Sequence, residues 1–281
     1  MTLQTSLDSA VVDQGGKPTQ ELQRLLELTG VQHDGSLSDI VQKTQEQWLR
    51  KPNQERWDMQ KHISENESEI RQQFDSLGMS KALIPKHQEY DYAVVLGATF
   101  KVIILRLQYI IDLWKQGIRF KHLVFLGGAR PLIEARGENK QSFMEWLGVD
   151  SLDDEFTPTT EAEIMKFVYQ HISTMPEEMR KLPVIFINAS MVQQDDGSLK
   201  RPTTDDIIAD WLQTKPSAGK CLFVSSQPYV GFQHAVIRTY MPGSFQVETI
   251  GTEANPTLNV SVILDNVARW LYQEHKRLQQ H

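Results

Sequence analysis

The stretch AVVLGAT at residues 93–99 decides the fold, because it is an apolar run that ends abruptly in small residues. LVFLGGA at 123–129 repeats this arrangement, and VIFIN at 184–188 and LFVSS at 222–226 are equally apolar. None of the four runs alternates with polar residues, so each is predicted to be a strand with both faces covered. Strands of this kind are typical of parallel sheets in α/β proteins.

Amphipathic segments separate the apolar runs. The predicted strands are Tyr92–Leu96, His122–Leu126, Val184–Asn188, Cys221–Ser225 and Phe245–Ile250. The predicted helices are Lys101–Gln116, Thr160–Ile172, Thr204–Gln213, Gly231–Tyr240 and Leu258–Leu278. This alternation predicts an α/β fold with a doubly wound, mainly parallel, Rossmann-like sheet.

The part of the chain before the first strand is different in character. Residues 1–85 are predicted to form an N-terminal helical layer, followed by the α/β domain at 86–281. The first 18 residues or so are polar and are expected to be mobile. Ser36 or Ser38 is expected to cap a second helix, and a third helical segment is expected from about Gln54 to Leu77.

Composition narrows the classes of function. The net charge is −7 and the sequence pI is about 5.6, which argues against broad binding to nucleic acid or to an anionic membrane. No apolar stretch is long enough to span a membrane, and the first residues do not have the pattern of a secretory signal. The one cysteine, Cys221, is expected to be a buried small hydrophobe. We therefore expect a cytoplasmic protein.

The candidate ligand site lies at the strand ends, because open α/β sheets bind ligands outside the carboxyl ends of their strands. Small and hydroxyl residues dominate these turns, and their backbone N–H groups can approach a ligand closely. Tight turns also need such residues whatever they bind, so each turn alone is ambiguous. The turn residues are Gly97-Ala98-Thr99, Gly127-Gly128-Ala129-Arg130, Asn188-Ala189-Ser190, Ser225-Ser226-Gln227 and Gly251-Thr252-Glu253.

Charged residues near these turns are also candidates. Arg130 offers a planar, charged fork for a phosphate or carboxylate. It lies in a long loop that runs from Gly127 to Gln141. The charged residues of this loop are expected either to contact a ligand or to form a solvated cluster; they are Arg130, Glu134, Arg136 and Glu138.

Two helix starts carry acidic residues that are open to two interpretations. Glu161 follows Thr160, so it either stabilises the first turn of its helix or projects into the pocket as a catalytic acid or base. Thr203 and Asp206 are likewise either a helix cap or ligand contacts. The sequence contains no G-x-G-x-x-G after the first strand, no Walker A sequence, no G-x-S-x-G and no H-E-x-x-H. No metal site is predicted.

The ordered segments resemble those of the bacterial family that contains YdcF, SanA and ElyC, a family named for its unknown function. These segments are LGAT at 96–99, Arg106, LVFLGGA at 123–129, TEAE at 160–163, PTTDD at 202–206 and VSSQP at 224–228. The likeness covers about Tyr90 to Arg238. It implies a Rossmann-like fold and a nucleotide-like ligand, with S-adenosylmethionine as a candidate cofactor.

The resemblance assigns roles residue by residue. Gly97, Arg106, Gly127 and Gly128 match the two glycine turns and the helix arginine, with Leu126 in place of a serine. Glu161 matches the acidic residue, Thr203 the threonine, and Ser225 and Ser226 a Thr-Ser pair. Asp206 stands where the family has asparagine. The family's histidine is not matched, since Tyr229 falls near its place, and Gln233 or Arg238 stands for a later arginine.

Three functions remain open. The first is binding of, or catalysis on, a nucleotide-like or phosphorylated small molecule, with Glu161 catalytic. The ligand contacts would be Gly97, Ala98, Thr99, Arg106, Gly127, Gly128, Arg130, Thr203, Asp206, Ser225, Ser226 and Gln227. The second is a protein-interaction role for the N-terminal helices, with Trp48 and Trp57, above a vestigial pocket. The third is hydrolysis or group transfer on a phosphorylated precursor.

Overall fold

The computed structural model describes residues 7–52, 54–61 and 65–279. The chain divides into two units. Unit 1 comprises Met1–Leu83, Ser226–Thr239 and Glu253–His281, and unit 2 comprises Ile84–Ser225 and Tyr240–Thr252. The predicted domain boundary follows residue 85, and the chain first leaves unit 1 after Leu83. The predicted split into two domains stays a prediction.

Unit 2 is built on a five-stranded sheet with the order β3-β2-β1-β6-β7. The strands are β1 (Glu89–Leu96), β2 (Arg119–Gly128), β3 (Val184–Ala189), β6 (Lys220–Ser226) and β7 (Gln246–Thr252). Strand β1 pairs in parallel with β2 and with β6, and β2 pairs in parallel with β3. The predicted α/β fold with a Rossmann-like sheet is confirmed.

Helices cover both faces of this sheet. The main helices of unit 2 are α4 (Phe100–Lys115), α6 (Glu161–His171) and α8 (Thr204–Gln213). On one face, Tyr169 of α6 packs against Phe125 of β2. On the other, Trp211 of α8 packs against Tyr92 and Phe223. Phe125 is the register partner of Val95 on β1, so the two side chains share a face of the sheet. Val95 and Tyr92 are three residues apart on the same strand, so Tyr92 points to the opposite face.

Smaller elements complete unit 2. Helices α5 (Lys140–Leu147) and α7 (Glu177–Arg180) were not among the predicted helices. Strands β4 (Val192–Gln193) and β5 (Leu199–Lys200) form a separate antiparallel pair. These elements are short, and so few residues do not give a clear period in the sequence.

Unit 1 is helical. Its helices are α1 (Gln20–Leu28), α2 (Leu37–Trp48), α3 (Glu67–Ser76), α9 (Val230–Tyr240, which ends in unit 2) and α10 (Val260–Leu278). Ser36 caps α2 by accepting a hydrogen bond from the Asp39 N–H. One buried apolar cluster joins α1, α2, α3 and α10. The predicted N-terminal helical layer is therefore present.

Two details of unit 1 differ from the expectations. The segment predicted to be helical from about residue 54 contains a short 3-10 turn at Arg56–Asp58, and α3 begins only at Glu67. The first 18 residues or so were expected to be mobile, and the first six of them lie outside the described residues. The expectation does not fit the others, because Ala10, Val11 and Val12 are buried. These three apolar residues anchor a stretch that looks polar on average.

Within the described residues, no helix is both long enough and apolar enough to cross a membrane.

Candidate functional site

Glu161 lies where the turns after β1 and β2 meet. Thr160 caps α6 by accepting a hydrogen bond from the Glu163 N–H, which makes Glu161 the first residue of the helix. The Glu161 Oε2 atom accepts a hydrogen bond from the Gly128 N–H at 3.2 Å. Its Oε1 atom lies 3.5 Å from the Arg130 Nε atom. The side chain remains 12% exposed, so the carboxylate is held in place but can still be reached.

The glycines of these turns are needed for close packing. A Cβ atom on Gly97 would lie 2.7 Å from Glu161 Oε2. One on Gly127 would lie 2.7 Å from the Met165 sulfur, and one on Gly128 would lie 2.4 Å from Pro202 Cγ. Each glycine therefore faces another part of the protein. Of the three, only Gly97 would place a Cβ atom against the Glu161 side chain, whereas Gly128 contacts it through its backbone N–H.

Arg130 and Glu138 form a buried ion pair beside Glu161. The Arg130 guanidinium donates to the two Glu138 oxygens at 2.8 and 3.0 Å, in a bidentate arrangement. The Glu138 side chain is fully buried and also accepts hydrogen bonds from the N–H groups of Phe100 and Ile133. Arg130 is thus positioned by Glu138 rather than left open to a ligand. Glu134 and Arg136, on the same loop, are exposed.

The pKa of the Glu161 carboxyl is shifted upward. Burial raises this pKa because it disfavours the charged form, and the negative charge of Glu138 acts in the same direction. The positive charges of Arg130 and Arg106 and the hydrogen bond from Gly128 oppose the shift. A carboxyl group with a raised pKa is better suited to carry a proton than an ordinary carboxyl group is.

Arg106 holds the turn after β1 in shape. Its Nη1 atom donates to the carbonyl oxygens of Leu96 and Gly97 at 2.8 and 2.9 Å. Its Nη2 atom lies 3.4 Å from the hydroxyl oxygen of Ser225, at the end of β6. Arg106 and Ser225 are both buried. They therefore connect the ends of two neighbouring strands beneath the site.

Ala98 and Thr99 complete the turn after β1, and both are half-buried. The Ala98 carbonyl accepts a hydrogen bond from Arg130 at 3.3 Å. Thr99 is at the N-cap position of α4, but its side chain forms no capping hydrogen bond. The Glu138 carboxylate binds the first N–H of this helix instead. The Thr99 hydroxyl therefore has no role in capping the helix.

Thr203 and Asp206 bind each other at the start of α8. The Asp206 carboxylate accepts hydrogen bonds from the Thr203 N–H at 2.8 Å and from its hydroxyl at 2.5 Å. This arrangement satisfies the helix cap. It favours the capping interpretation of these two residues over the ligand-binding one.

The residues carried over from Ser226 to Arg238 belong to unit 1, and those described next contact other parts of that unit. Ser226 accepts a hydrogen bond from the Tyr229 N–H through its carbonyl. Gln227 is buried, and its Nε2 atom donates to the carbonyls of Gly78 and Lys81. Arg238 donates to both oxygens of Glu274 at 2.9 Å and also pairs with Asp8. The Arg56 guanidinium lies over the Tyr229 ring, with its Cζ atom 4.2 Å from the ring centre.

Sequence reasoning missed the part that Glu138 plays. It grouped Glu138 with three other charged residues and left a ligand contact or a solvated cluster open. No local pattern distinguishes Glu138 from Glu134, because its burial depends on Arg130 eight residues earlier. The three glycines of the stretch from Gly127 to Gln141, and Asn139, which caps α5, are local signals of an ordered turn. They did not identify the residue that it buries.

The remaining candidates for chemistry are the Cys221 thiol and the residue types that bind metals. Cys221 is buried as expected, and burial raises its pKa to about 12. Across the part of the chain that the structure describes, no group of three or more His, Cys, Asp or Glu side chains is arranged to hold a metal ion.

Comparison with protein-family models, with curated proteins and with solved structures found no match for the chain. The likeness to the YdcF, SanA and ElyC family therefore stays a prediction that rests on the short segments quoted above.

Proposed function

We propose that unit 2 binds a nucleotide-like small molecule at the carboxyl ends of β1 and β2, and that Glu161 is the group that contacts it. The observation that carries this proposal is the position of the Glu161 carboxylate, between the turns of Gly97 and Gly128 and 12% exposed. Ligands of open α/β sheets bind at this edge.

The hydrogen bonds of Glu161 favour a hydroxyl-bearing ligand. A carboxylate has about four acceptor positions, and in Glu161 the Gly128 N–H occupies one and Arg130 lies near another. The remaining acceptor positions suit hydroxyl donors such as those of a ribose, which acidic residues bind in other folds of this class. S-adenosylmethionine and simple nucleosides both carry such hydroxyls.

Internal carboxylates argue against a phosphate as the main anchor of the ligand. A helix N-terminus attracts an anion through its free N–H groups. At α4 the first N–H already donates to Glu138, and α6 begins with Glu161 itself. The nucleoside part of the ligand is therefore better supported than its phosphate, and hydrolysis of a phosphorylated precursor gains no support from these contacts.

A proton-transfer role for Glu161 follows from the same geometry. The raised pKa makes this carboxyl hold its proton more readily than an ordinary glutamate does, which suits a general acid or a general base. Arg130 lies on the side of Oε1 and stabilises the charged form when the proton leaves.

Thermal unfolding with a ligand panel tests the proposal. The panel contains S-adenosylmethionine, adenosine, AMP and ribose 5-phosphate, and a ligand present at 100 times its Kd stabilises a protein by about 2.7 kcal/mol. We expect adenosine to stabilise the protein and ribose 5-phosphate to have a smaller effect. We expect Glu161→Gln to weaken binding roughly tenfold, which corresponds to about 1.4 kcal/mol.

Glu178→Gln is the matched control, because Glu178 is an exposed glutamate in the first turn of another helix of unit 2. It is expected to bind the panel as the unaltered protein does. Absence of stabilisation by every compound, or equal binding by Glu161→Gln, would contradict the proposal.

A further inference from the structure

Unit 1 contains a cavity of about 430 Å³ that shares no lining residue with the site around Glu161 and plays no part in the proposal above. Its lining comes from the end of α2, the segment that follows α2 and the first turns of α10. A volume of this size falls within the range of small-molecule sites. Every lining residue belongs to unit 1.

Helix α10 fixes the first part of the segment that covers the cavity. The Arg50 N–H donates to the Oδ1 atom of Asp265 at 3.1 Å. Asp265 is buried, and its carboxylate is also paired with Arg269 one turn further along the same helix. The chain that leaves α2 is thereby held against α10.

Helix α10 also fixes the far end of this segment. Asn259 Nδ2 donates to the carbonyls of Met59 and Gln60, and the Ser261 hydroxyl donates to the Gln60 carbonyl at 2.8 Å. Between the two ends, Gln54 Nε2 donates to the Asp58 carbonyl. These hydrogen bonds make the cavity a part of the folded unit rather than a gap beside a loose loop.

Of the three charged side chains that line the cavity, a lysine and an aspartate have no charged partner among the described residues. Lys51 and Asp58 both line it and both are exposed. Across the described residues, neither the Lys51 ammonium nor the Asp58 carboxylate forms an ion pair or a side-chain hydrogen bond. A ligand that bears both charges would satisfy both groups at once.

The rest of the lining combines apolar, amide and hydroxyl side chains with the guanidinium of Arg50. Trp48, Leu49, Met59 and Leu264 supply apolar surface, and amide side chains provide neutral donors and acceptors. We infer that this cavity binds a zwitterionic, amino-acid-like ligand with an apolar side chain. Lys51 receives its carboxylate, Asp58 receives its ammonium group, and the apolar residues contact its side chain.

Calorimetric titration of the full chain with leucine, methionine and phenylalanine tests this inference. Two analogues of leucine each lack one charge: 4-methylpentanoate has no ammonium group, and 3-methylbutylamine has no carboxylate. We expect at least one of the three amino acids to bind, and each leucine analogue to bind roughly tenfold more weakly than leucine.

Variants assign each charge to its partner. Lys51→Gln and Asp58→Asn are each expected to weaken amino-acid binding roughly tenfold. Asp58→Asn is expected to leave binding of 4-methylpentanoate unchanged, and Lys51→Gln to leave binding of 3-methylbutylamine unchanged. Lys17→Gln, an exposed lysine of the same unit, is the control. The inference is overturned if none of the amino acids binds, if either analogue binds as tightly as leucine, or if both variants bind normally.

Discussion

The Glu161 carboxylate occupies the space that a side chain at Gly97 would need, since a Cβ atom there would lie 2.7 Å from Oε2. The carboxylate is not free to swing away, because the Gly128 N–H and Arg130 both hold it. The glycine after β1 and the acid at the start of α6 are therefore a matched pair. They are 64 residues apart in the chain.

Gly97→Ala is expected to destabilise the protein by about 1–3 kcal/mol, as overpacking of a filled space usually does. The cost should shrink to within about 0.5 kcal/mol in a Glu161→Ala background, because the clashing group is then absent. Urea unfolding of the two single variants and the double variant measures this coupling. Gly243→Ala is the control, since nothing lies within 4 Å of a Cβ there. Additive costs would show that the two residues do not share this space.

Glu138→Gln is expected to cost about 3 kcal/mol. Removing one partner of a buried ion pair leaves the other charge uncompensated, and Arg130 is only 8% exposed. The nearby Glu161 offsets part of the loss, which places the value at the lower end of the range for such pairs. Denaturant unfolding measures the change.

Glu134→Gln is the matched control, because Glu134 lies on the same loop and is exposed. Surface substitutions of this kind usually change stability by less than about 0.5 kcal/mol. Equal effects of Glu134→Gln and Glu138→Gln would contradict a buried, paired role for Glu138.

The sheet was predictable from the sequence because its strands are unbroken apolar runs. The observed strand β1 ends at Leu96, where the predicted one does, and helix α8 has the predicted bounds of Thr204 and Gln213. Both segments carry strong local signals. Strand β1 is an apolar run without polar alternation, and α8 has a threonine cap and acidic residues in its first turn. The strand order β3-β2-β1-β6-β7 depends on non-local pairing, which no local pattern encodes.

The candidate site was predictable only in part, for the same reason. Glu161 and Gly97 were named from their places at a helix start and a strand end, and the structure brings them together. The partner of Arg130 was not identified, because ion pairs depend on how a loop folds back. The lysine and aspartate of the second cavity, Lys51 and Asp58, lie in a segment that was expected to be partly helical and carried no motif.

The raised pKa of Glu161 predicts a definite pH dependence of stability. The folded protein keeps this proton at pH values where the unfolded chain has lost it, so the free energy of unfolding falls as pH rises from the ordinary value of 4.5 through the raised pKa. Glu161→Gln removes this contribution, whereas all other titrating groups remain. The difference in unfolding free energy, unaltered protein minus variant, should therefore fall across that window by about 1.4 kcal/mol per unit of pKa shift.

Urea unfolding of both proteins at a series of pH values measures this difference. Glu178→Gln, at an exposed glutamate, again serves as the control for the substitution itself. A difference that stays flat for Glu161→Gln, or that rises with pH, would mean that the folded state does not raise the pKa of this carboxyl.

Asp206 is expected to matter for stability and not for ligand binding. Its carboxylate accepts hydrogen bonds from the Thr203 N–H and hydroxyl, so Asp206→Ala removes the cap of α8 and should cost about 1 kcal/mol. Thr203→Ala should cost less, because the carboxylate still binds the backbone N–H, and Asp206→Asn should retain most of the stability because it keeps an acceptor oxygen. Denaturant unfolding gives these costs, and titration with adenosine should give the same affinity for all three variants. Weaker adenosine binding by Asp206→Asn, without a loss of stability, would contradict this prediction. It would indicate that Asp206 contacts the ligand, because the helix cap would still be intact.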